Sequence, residues 1–556
     1  GTFEGLVEKL PYLLELGVNV VELMPIFEFD EMQDYREVDG RKLYNYWGYN
    51  TVSFFSPNTS YAAGTEYNRE GYELKNLIRV FNQHGIEVYL DVVFNHTAEG
   101  NENGPFFSFK GFDNNIYYLL TPEGYYYNFS GCGNTLNCNH PIVQQMILNC
   151  LRYWVTAYRI DGFRFDLMAV HDIETMNAVR AALDEIDPSI MVYGEGWTGG
   201  DCAIPSSQQA LKANMAKIDR VGAFSDDIRD GIKGSVFDAQ DKGFISGKDG
   251  MEESVKFGIV GATPHPQVMT FKNDKGSKSW AAQPGQSINY VSCHDNLTFW
   301  DKLAISNADD SEETRIQMNK LGSAIILTSQ GVPFFQAGEE LLRSKPSATV
   351  EGGFDENSYT SPDSTNSIKW AEKAKVLDTY DYYKGLIAFR KAHSALRMTT
   401  AADIQSNLVF MSGLDANVIG YTIANNANSD TAEKITVLLN GNKNAVEVAL
   451  PAGTWEICVN DKTAGTASVG TAQGTVSVPG ISAMVLVQGD DTIVKAETKT
   501  ETENDTTANA STESAEASGN TESAQSASGS MPLIIGGIVA AAAAVAAGIF
   551  IKKRKK

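Results

Sequence analysis

The chain alternates between amphipathic helical segments and short runs that are apolar on both faces. Residues 6–16 carry apolar side chains at helical spacing and stop at Gly17, a common helix terminator, before a short apolar strand at 18–24. The same alternation recurs along the chain. Further helices are predicted at 72–84, 141–157, 172–186 and 382–397, with an irregular insertion at 97–140.

Apolar runs between these helices predict seven strands. They lie near residues 18, 88, 160, 192, 222, 290 and 333. Strands that are apolar on both faces and separated by helices are typical of a parallel sheet wrapped by helices. We therefore predict an α/β fold, a (β/α)8 TIM barrel over 1–398. Such a barrel needs eight strands. Since the chain opens on Gly1 with a helix, we expect its first strand and true N-terminus to be missing upstream.

The sequence after the predicted barrel falls into three segments that differ in amino-acid pattern and composition. Residues 399–488 consist of short alternating runs separated by Gly, Asn and Asp, which predicts an antiparallel β-sandwich. Residues 489–530 are rich in Ser, Thr, Glu and Ala and predict a disordered linker. Within 531–556, an apolar run of about 20 residues is long enough to cross a bilayer and is followed by KKRKK. This favours a transmembrane anchor over a soluble Ala-rich helix, with an extracellular globular part and a basic cytoplasmic tail.

Composition narrows the choice of ligand. The net charge is -24 and basic residues form no stripe, which argues against nucleic acid as a partner. A neutral polar ligand bound through aromatic faces and hydrogen bonds fits better. The six cysteines include no CxxC pair, so neither a zinc site nor a dense disulfide framework is indicated. Cys132 and Cys138 could bridge within one loop, although free thiols are at least as compatible.

The stretch YRIDGFRFD (158–166) is predicted to be one buried strand that ends at Asp166. Arg164 lies two residues earlier, so on a strand both side chains point the same way. A cation beside a carboxylate keeps that carboxylate ionised, as a nucleophile requires at neutral pH. Taken alone, the pair could equally be a structural ion pair that locks the strand end.

Other predicted strands also end in polar groups: Asp91 with His96, Glu195, and His294 with Asp295. In a barrel of this type the carboxyl ends of the strands converge on one site. Several acids buried together without a metal are costly unless they transfer protons or stabilise a cation. A retaining glycoside hydrolase needs such a set: an ionised nucleophile, an acid with a raised pKa, and negative charge beside an oxocarbenium-like transition state.

We assign Asp166 as the nucleophile and Glu195 as the general acid and then base. The neighbouring carboxylates, and partial burial by Trp197, would raise the pKa of Glu195. Asp295 would orient sugar hydroxyls and bind the transition state more strongly than the substrate.

The other predicted substrate contacts are Tyr49, His96 and His294, together with Asp91, Arg164 and Trp197. The two histidines would donate hydrogen bonds to the sugar, although a lone histidine at a strand end is more often structural. Tyr49 in YNYWGYN would stack on a sugar face, although an aromatic cluster is more often core.

Four segments, DVVFNH, GFRFD, YGEGW and YVSCHDN, resemble in that order the signature regions of the α-amylase superfamily, glycoside hydrolase family 13. The resemblance covers residues 1–488. Other segments resemble type I pullulanases: YNYWGYN, FRFDLMAVHDIETMN, FSDDIRDGIKGSVF, GEELLRSK and NSYTSPDSTNSIKW. The resemblance implies hydrolysis of α-1,6 branch links in pullulan, starch or glycogen fragments, with retention of configuration. Asp166, Glu195 and Asp295 fall on its nucleophile, acid/base and transition-state stabiliser, and Arg164, His96 and His294 on its first-subsite contacts.

Two alternatives stay open. GCGNTLNCNHP (131–141) resembles the isoamylase and glycogen-debranching branch, which points to a different preferred polymer. A catalytically silent glucan-binding surface protein is the alternative from another class, although all three acids are present. The resemblance implies no required cofactor and no catalytic metal. Calcium stays open, since many relatives use it and Asn95 matches a ligand position in α-amylases.

Overall fold

A computed structural model of the chain describes residues 1–268 and 279–495. These residues belong to one compact unit, Gly1–Glu497. The predicted transmembrane segment and all but the start of the predicted linker lie outside the described residues. Within the described ranges, no helix is both long enough and apolar enough to cross a membrane.

The two described ranges form seventeen strands. In chain order they are β1 Val20–Leu23, β2 Phe27–Phe29, β3 Tyr35–Val38, β4 Arg41–Tyr44, β5 Thr51–Pro57, β6 Glu87–Val92, β7 Gly162–Phe165, β8 Met191–Gly194, β9 Val221–Ser225, β10 Ser287–Asn289, β11 Val332–Pro333, β12 Leu408–Phe410, β13 Val418–Ile423, β14 Lys434–Asn440, β15 Val446–Val459, β16 Gly470–Val478 and β17 Ser482–Gln488.

The same ranges form fourteen α-helices. They are α1 Phe3–Val7, α2 Leu10–Leu16, α3 Arg69–Gln83, α4 Phe109–Phe112, α5 Asn114–Tyr117, α6 Pro141–Tyr153, α7 Ile173–Asp184, α8 Asp226–Lys233, α9 Glu252–Ile259, α10 Phe299–Ser306, α11 Glu312–Thr328, α12 Asp363–Asn366, α13 Leu377–Ala392 and α14 Ala401–Asn407.

Seven strands form a parallel sheet in the order β1-β6-β7-β8-β9-β10-β11. This confirms the predicted α/β class and the alternation of strands with helices. The inner strands β7, β9 and β10 are buried at every position. All four residues of β1 are only half-buried, and among the described residues β1 and β11 do not pair with each other.

The stretch 158–166 is not one strand, so that prediction is wrong in its bounds. A π-helical turn at Trp154–Tyr158 continues α6, and Arg159 has a φ of 63°. The left-handed residue turns the chain from the helix toward the sheet, so only Gly162–Phe165 is extended. The predicted helix at 6–16 is likewise divided into α1 and α2. Pro11 lies in the first turn of α2, where its missing N–H is tolerated; inside a continuous helix it would break a hydrogen bond.

The C-terminal region is antiparallel, as predicted for 399–488. Its six strands are joined by hydrogen bonds into one sheet in the order β12-β13-β14-β17-β15-β16. One face shares the largest apolar cluster with α11 and α13 of the region that contains the parallel sheet. The other face has a smaller cluster around Trp455. Both faces are therefore covered.

All six cysteines lie in the described ranges and all are free thiols. The thiol of Cys138 is buried and donates to the carbonyl of Phe94 at 3.0 Å. The disulfide that the sequence left open between Cys132 and Cys138 is therefore not formed.

Candidate active site

Three neighbouring strands present carboxylates to the guanidinium of Arg164, which is 2% exposed. Its Nη1 lies 2.9 Å from Asp91 Oδ1 and 3.0 Å from Asp166 Oδ1, and its Nη2 lies 2.7 Å from Glu195 Oε1. The parallel register places Asp91 on β6 beside Arg164 on β7, and Glu195 directly follows β8. The predicted strand-end residues of β6, β7 and β8 therefore meet around one cation.

Besides the charged donor Arg164, Asp166 has a neutral donor. Asn95 donates from Nδ2 to Asp166 Oδ2 at 2.8 Å and to the Asp166 carbonyl at 3.0 Å. Asn95 is itself anchored, because the backbone N–H of Leu136 donates to its carbonyl at 3.0 Å. The GCGNTLNCNHP loop thus supports the strand end that holds Asp166. The Asp166 side chain is 14% exposed, so one part of it remains open to a ligand.

Glu195 is only 5% exposed, and burial raises the pKa of its carboxyl group to about 7. Arg164 opposes this shift, whereas the charges of Asp166 and Asp295 reinforce it. The predicted direction of the pKa shift therefore holds. Trp197, predicted to bury Glu195, is half-buried and packs against an apolar cluster of the sheet.

The residue after Asp166 makes a contact that the sequence did not reveal. The backbone N–H of Leu167 donates to Glu195 Oε2 at 2.9 Å. Leu167 has φ 41° and ψ 50°, a left-handed conformation that costs a non-glycine residue about 1–2 kcal/mol. The strained turn aims this N–H at Glu195 and so fixes the second carboxylate relative to the first.

An aromatic group packs over the other side of Asp91. Tyr49 donates its hydroxyl proton to Asp91 Oδ2 at 2.5 Å, and the Tyr49 hydroxyl oxygen lies 3.1 Å from His294 Nδ1. The Tyr49 and His294 rings are stacked with centroids 4.7 Å apart. Trp47 meets the His294 ring edge-on at 5.0 Å. One face of Tyr49 is therefore occupied by His294, and its predicted sugar contact is not tested by this packing.

His96 is buried and the His294 side chain is 14% exposed, and desolvation lowers the pKa of each to about 4. Both rings are therefore neutral near pH 7. His96 Nδ1 contacts Asn95 Oδ1 at 2.6 Å. Asp295 differs from the other two acids, because its side chain is 48% exposed. Its Oδ1 lies 3.5 Å from His294 Nε2, so Asp295 lies on the solvent-exposed side of the cluster of site residues.

The sheet curls, since His294 follows its sixth strand yet is linked through Tyr49 to Asp91 on the second. Inside the curl lies a further acid, Glu22 on β1, which the sequence reasoning missed. Tyr193 on β8 donates its hydroxyl proton to the Glu22 carboxylate. Burial raises the pKa of Glu22, and Arg164 opposes that shift. A charged residue within an otherwise apolar strand, VNVVELMP, was the signal for it.

The candidate calcium ligand Asn95 does not fit that role. Its amide nitrogen is used by Asp166 and its amide oxygen contacts His96 Nδ1 at 2.6 Å. In the part of the chain that the structure describes, His393, Asp430 and Asp490 form a group able to hold an ion. These carboxylates already accept hydrogen bonds, for example from Ala395 N at 2.8 Å and Thr431 Oγ1 at 2.7 Å. Calcium binding stays a prediction.

Two family models match the chain: "Alpha amylase, catalytic domain" over residues 1–107 and "Pullulanase, all-beta domain" over residues 404–463. The pullulanase of Bacillus subtilis (strain 168) is 34% identical over 508 residues, which cover 88% of this chain and 65% of that protein. Isoamylase 1 of Arabidopsis thaliana is 33% identical over 437 residues, covering 70% and 53%.

Solved structures agree with these relatives. The crystal structure of a pullulanase from Paenibacillus barengoltzii in complex with maltohexaose and α-cyclodextrin superposes with a TM-score of 0.78 at 35% identity. The match covers 88% of this chain and 74% of that one. The pullulanase from Bacillus acidopullulyticus gives 0.76 at 38% identity, covering 86% and 55%. The chain therefore spans about two thirds or less of the length of most of these relatives.

Proposed function

The chain belongs to the pullulanase family of the α-amylase superfamily, with the isoamylases as further relatives, and we propose that it hydrolyses α-1,6 branch links in α-glucans with retention of configuration. Pullulan, starch and glycogen-derived fragments are the proposed substrates. Asp166, Glu195 and Asp295 carry the reaction in this proposal. Tyr49, Asp91, His96, Arg164, Trp197 and His294 bind the sugar or orient the groups that do.

One observation carries the proposal: three strand-end carboxylates share the Arg164 guanidinium, and one of them, Glu195, has a raised pKa. The Asp166 carboxylate has two donors, Arg164 at Oδ1 and Asn95 at Oδ2. Burial beside other carboxylates raises the pKa of Glu195 to about 7. An acid with a raised pKa beside a second carboxylate held by hydrogen bonds is the arrangement that a retaining glycosidase needs.

In the first step, the Asp166 carboxylate attacks the anomeric carbon and forms a glycosyl ester. The bond from that carbon to the branch oxygen breaks, and the leaving oxygen takes the proton of Glu195. The Leu167 N–H and the Arg164 guanidinium each hold one oxygen of Glu195 and so fix the orientation of its carboxyl group. Asp295 supplies negative charge beside the oxocarbenium-like transition state.

In the second step, the Glu195 carboxylate takes a proton from water. The water oxygen attacks the anomeric carbon, and the ester bond to Asp166 breaks. Two inversions at one carbon give net retention. His294 assists by hydrogen bonding, although its direction differs from the expectation. Tyr49 donates its single hydroxyl proton to Asp91. Nδ1 of the neutral His294 ring is therefore the donor to the Tyr49 oxygen, and Nε2 accepts a hydrogen bond from a sugar hydroxyl.

Pullulan joins maltotriose units through α-1,6 links, so maltotriose release from pullulan is the test of the proposal. Asp166→Asn and Glu195→Gln should each lower kcat by at least about 10³-fold. Asp161→Asn is the matched control, because Asp161 precedes the same strand at its opposite end, where its Oδ2 accepts from Val88 N at 2.8 Å. Hydrolysis of amylose with no release from pullulan would contradict the proposal.

A second candidate is an isoamylase-type glycogen-debranching activity. The GCGNTLNCNHP loop and the 33% identity to an isoamylase favour it. The ratio of initial rates on glycogen and pullulan separates the two activities. Oligosaccharide binding without hydrolysis of either polymer would support the inactive glucan-binding alternative.

Two finer proposals accompany the function. Seven parallel strands in chain order and six antiparallel strands support a (β/α)8 barrel at 1–398 followed by a β-sandwich at 399–488. The apolar run before KKRKK supports an anchor in the cell membrane, with the enzyme outside. Protease added to intact cells should then release the catalytic region.

A further inference from the structure

Lys345 is a buried lysine behind the loop that carries His294 and Asp295. The residue is 1% exposed, and its side chain is none of the proposed catalytic or substrate-binding groups. The ammonium donates to the backbone carbonyl of His294 at 2.7 Å. It also lies 5.2 Å from the ring centre of Trp47, the indole that meets His294 edge-on. One cation therefore contacts both the backbone under His294 and the ring beside it.

The position of Lys345 is itself fixed by Asp301, a fully buried residue in the first turn of α10. The backbone N–H of Lys345 donates to Asp301 Oδ2 at 2.8 Å, and Ser344 Oγ donates to Oδ1 at 2.5 Å. On the other side, Asp355 N donates to the Lys345 carbonyl at 2.8 Å. These hydrogen bonds fix the backbone of Lys345 at both its N–H and its carbonyl.

The loop that carries His294 and Asp295 needs support from a neighbouring residue. It runs from the end of β10 to the start of α10 and contains Asn296 at a φ of 64°. Left-handed residues persist where their surroundings hold them. Asp295 cannot be held by its own burial, since its side chain is 48% exposed. The backbone of the loop must therefore be fixed from behind.

We propose that Lys345 is a positioning residue: its ammonium holds the His294–Asp295 backbone and the Trp47 ring in the arrangement that stabilises the transition state. It acts through His294 and Asp295 and does not touch the reacting atoms. The inference rests on the proposed α-1,6-glucan hydrolysis. It gives the lysine of the GEELLRSK segment a positioning role in the proposed reaction.

The charge of Lys345 gives this role a pH signature. Burial and the nearby charge of Arg343 lower the pKa of its ammonium to about 8, against the raising effects of Cys293, Asp295 and Asp301. The group is charged below that pH and loses its proton above it. A lysine without charge holds a carbonyl less firmly.

The test compares Lys345→Met with Lys345→Arg and with Lys302→Met. Lys302 is the matched control, because it is 2% exposed and its ammonium also holds a backbone carbonyl, that of Ser235 at 3.0 Å. Lys345→Met should lower kcat on pullulan about tenfold or more, the range for a lost charged hydrogen bond. The Kd of maltohexaose, measured calorimetrically, should change less than about threefold, since Asp295 acts mainly on the transition state. Lys345→Arg should recover most of the kcat.

The pH profile adds a readout that a purely structural lysine would not move. The ratio of wild-type to Lys345→Met kcat/KM cancels the titration of Glu195, which both proteins share. This ratio should shrink above pH 8, where the wild type also loses the charge. If Lys345→Met does not fold, the ratio of wild type to Lys345→Arg serves instead and should fall above pH 8, because arginine stays charged.

Two results would overturn the inference while leaving the proposed function intact. One is a Lys345→Met enzyme with wild-type kcat. The other is a loss of kcat no larger than that of Lys302→Met at the same decrease in Tm, with no change of the pH ratio. A wild type that releases no maltotriose contradicts the proposed function and this inference with it.

Discussion

At the scale of single residues, Arg164 contacts the three carboxyl groups of Asp91, Asp166 and Glu195. Burial raises the pKa of Glu195 to about 7, while Asp166 remains in contact with Arg164 and Asn95. The arginine thus links the proposed nucleophile to the proposed acid and fixes their relative positions.

The protonation of Glu195 predicts the alkaline side of the activity profile. The first step needs the protonated acid, which is the major form below pH about 7 and the minor form above it. We therefore expect kcat/KM on pullulan to fall about tenfold per pH unit above that value. Initial rates between pH 4 and 10 measure it. A decline that begins near pH 4.5, the ordinary value for a glutamic acid, would show that Glu195 is not the acid.

Tyr49→Phe tests the aromatic side of the site. The substitution removes the hydroxyl that contacts both Asp91 and His294 and leaves a buried carboxylate with one donor fewer. We expect a loss of kcat/KM of about tenfold or more, because a hydrogen bond to a charged group contributes about 1.5–3 kcal/mol. Tyr61→Phe is the control, since the Tyr61 hydroxyl donates to the Tyr46 carbonyl. Equal losses in both variants would contradict the assignment.

At the scale of elements, irregular segments rather than helices fix the site. The insertion at 97–140 folds back on the end of β6 and holds Asn95 through Leu136. Its own turn at 99–104 is held by a lysine. Lys110 Nζ donates to the carbonyls of Glu99, Asn101 and Gly104 at 3.1, 2.5 and 3.1 Å. An ammonium thus occupies a ring of oxygens of the kind that cations bind.

Lys110→Met should therefore lower the free energy of unfolding by at least about 2 kcal/mol, because it leaves buried carbonyls without a donor. Lys375→Met is the control, since its side chain is 72% exposed and pairs with Glu372 at the surface. Calorimetry of the wild type and both variants measures the difference. An equal decrease of Tm in both variants would contradict this role of Lys110.

At the scale of the whole molecule, the catalytic region and the C-terminal sheet share one apolar core. The largest cluster includes Leu321 of α11 and Tyr383 of α13 together with Leu439 and Val485 of the sheet. The Tyr421 hydroxyl donates to the carbonyl of Thr328 at 3.0 Å, where α11 ends. Neither part can unfold without exposing the apolar face of the other.

Leu439→Ala should thus destabilise both regions together. Leu439 is fully buried, and such a truncation costs about 2–5 kcal/mol. We expect one thermal transition, shifted to lower temperature and coincident with the loss of activity. Val409→Ala on β12 should have little effect, since Val409 is 54% exposed. Two separate transitions, of which the variant shifts only one, would contradict a shared core.

The sequence by itself determined the class of the fold and the position of the acids. Burial on both faces leaves an apolar run in the sequence, so the seven strands and their alternation with helices could be located. Parallel strands end at one edge, so Asp91, Asp166, Glu195 and Asp295 could be expected near each other. Arg164 and Asp166 could be paired, because two residues apart on a strand means the same face.

Only the tertiary structure decided how these residues are held. The left-handed turn at Leu167 leaves no periodic signal, because φ at a single leucine depends on what its N–H can reach. Glu22 and Lys345 each bond to partners that lie far away in the chain. Such pairs depend on the curl of the sheet and on the paths of its loops, and both arise from packing between segments that are distant in sequence.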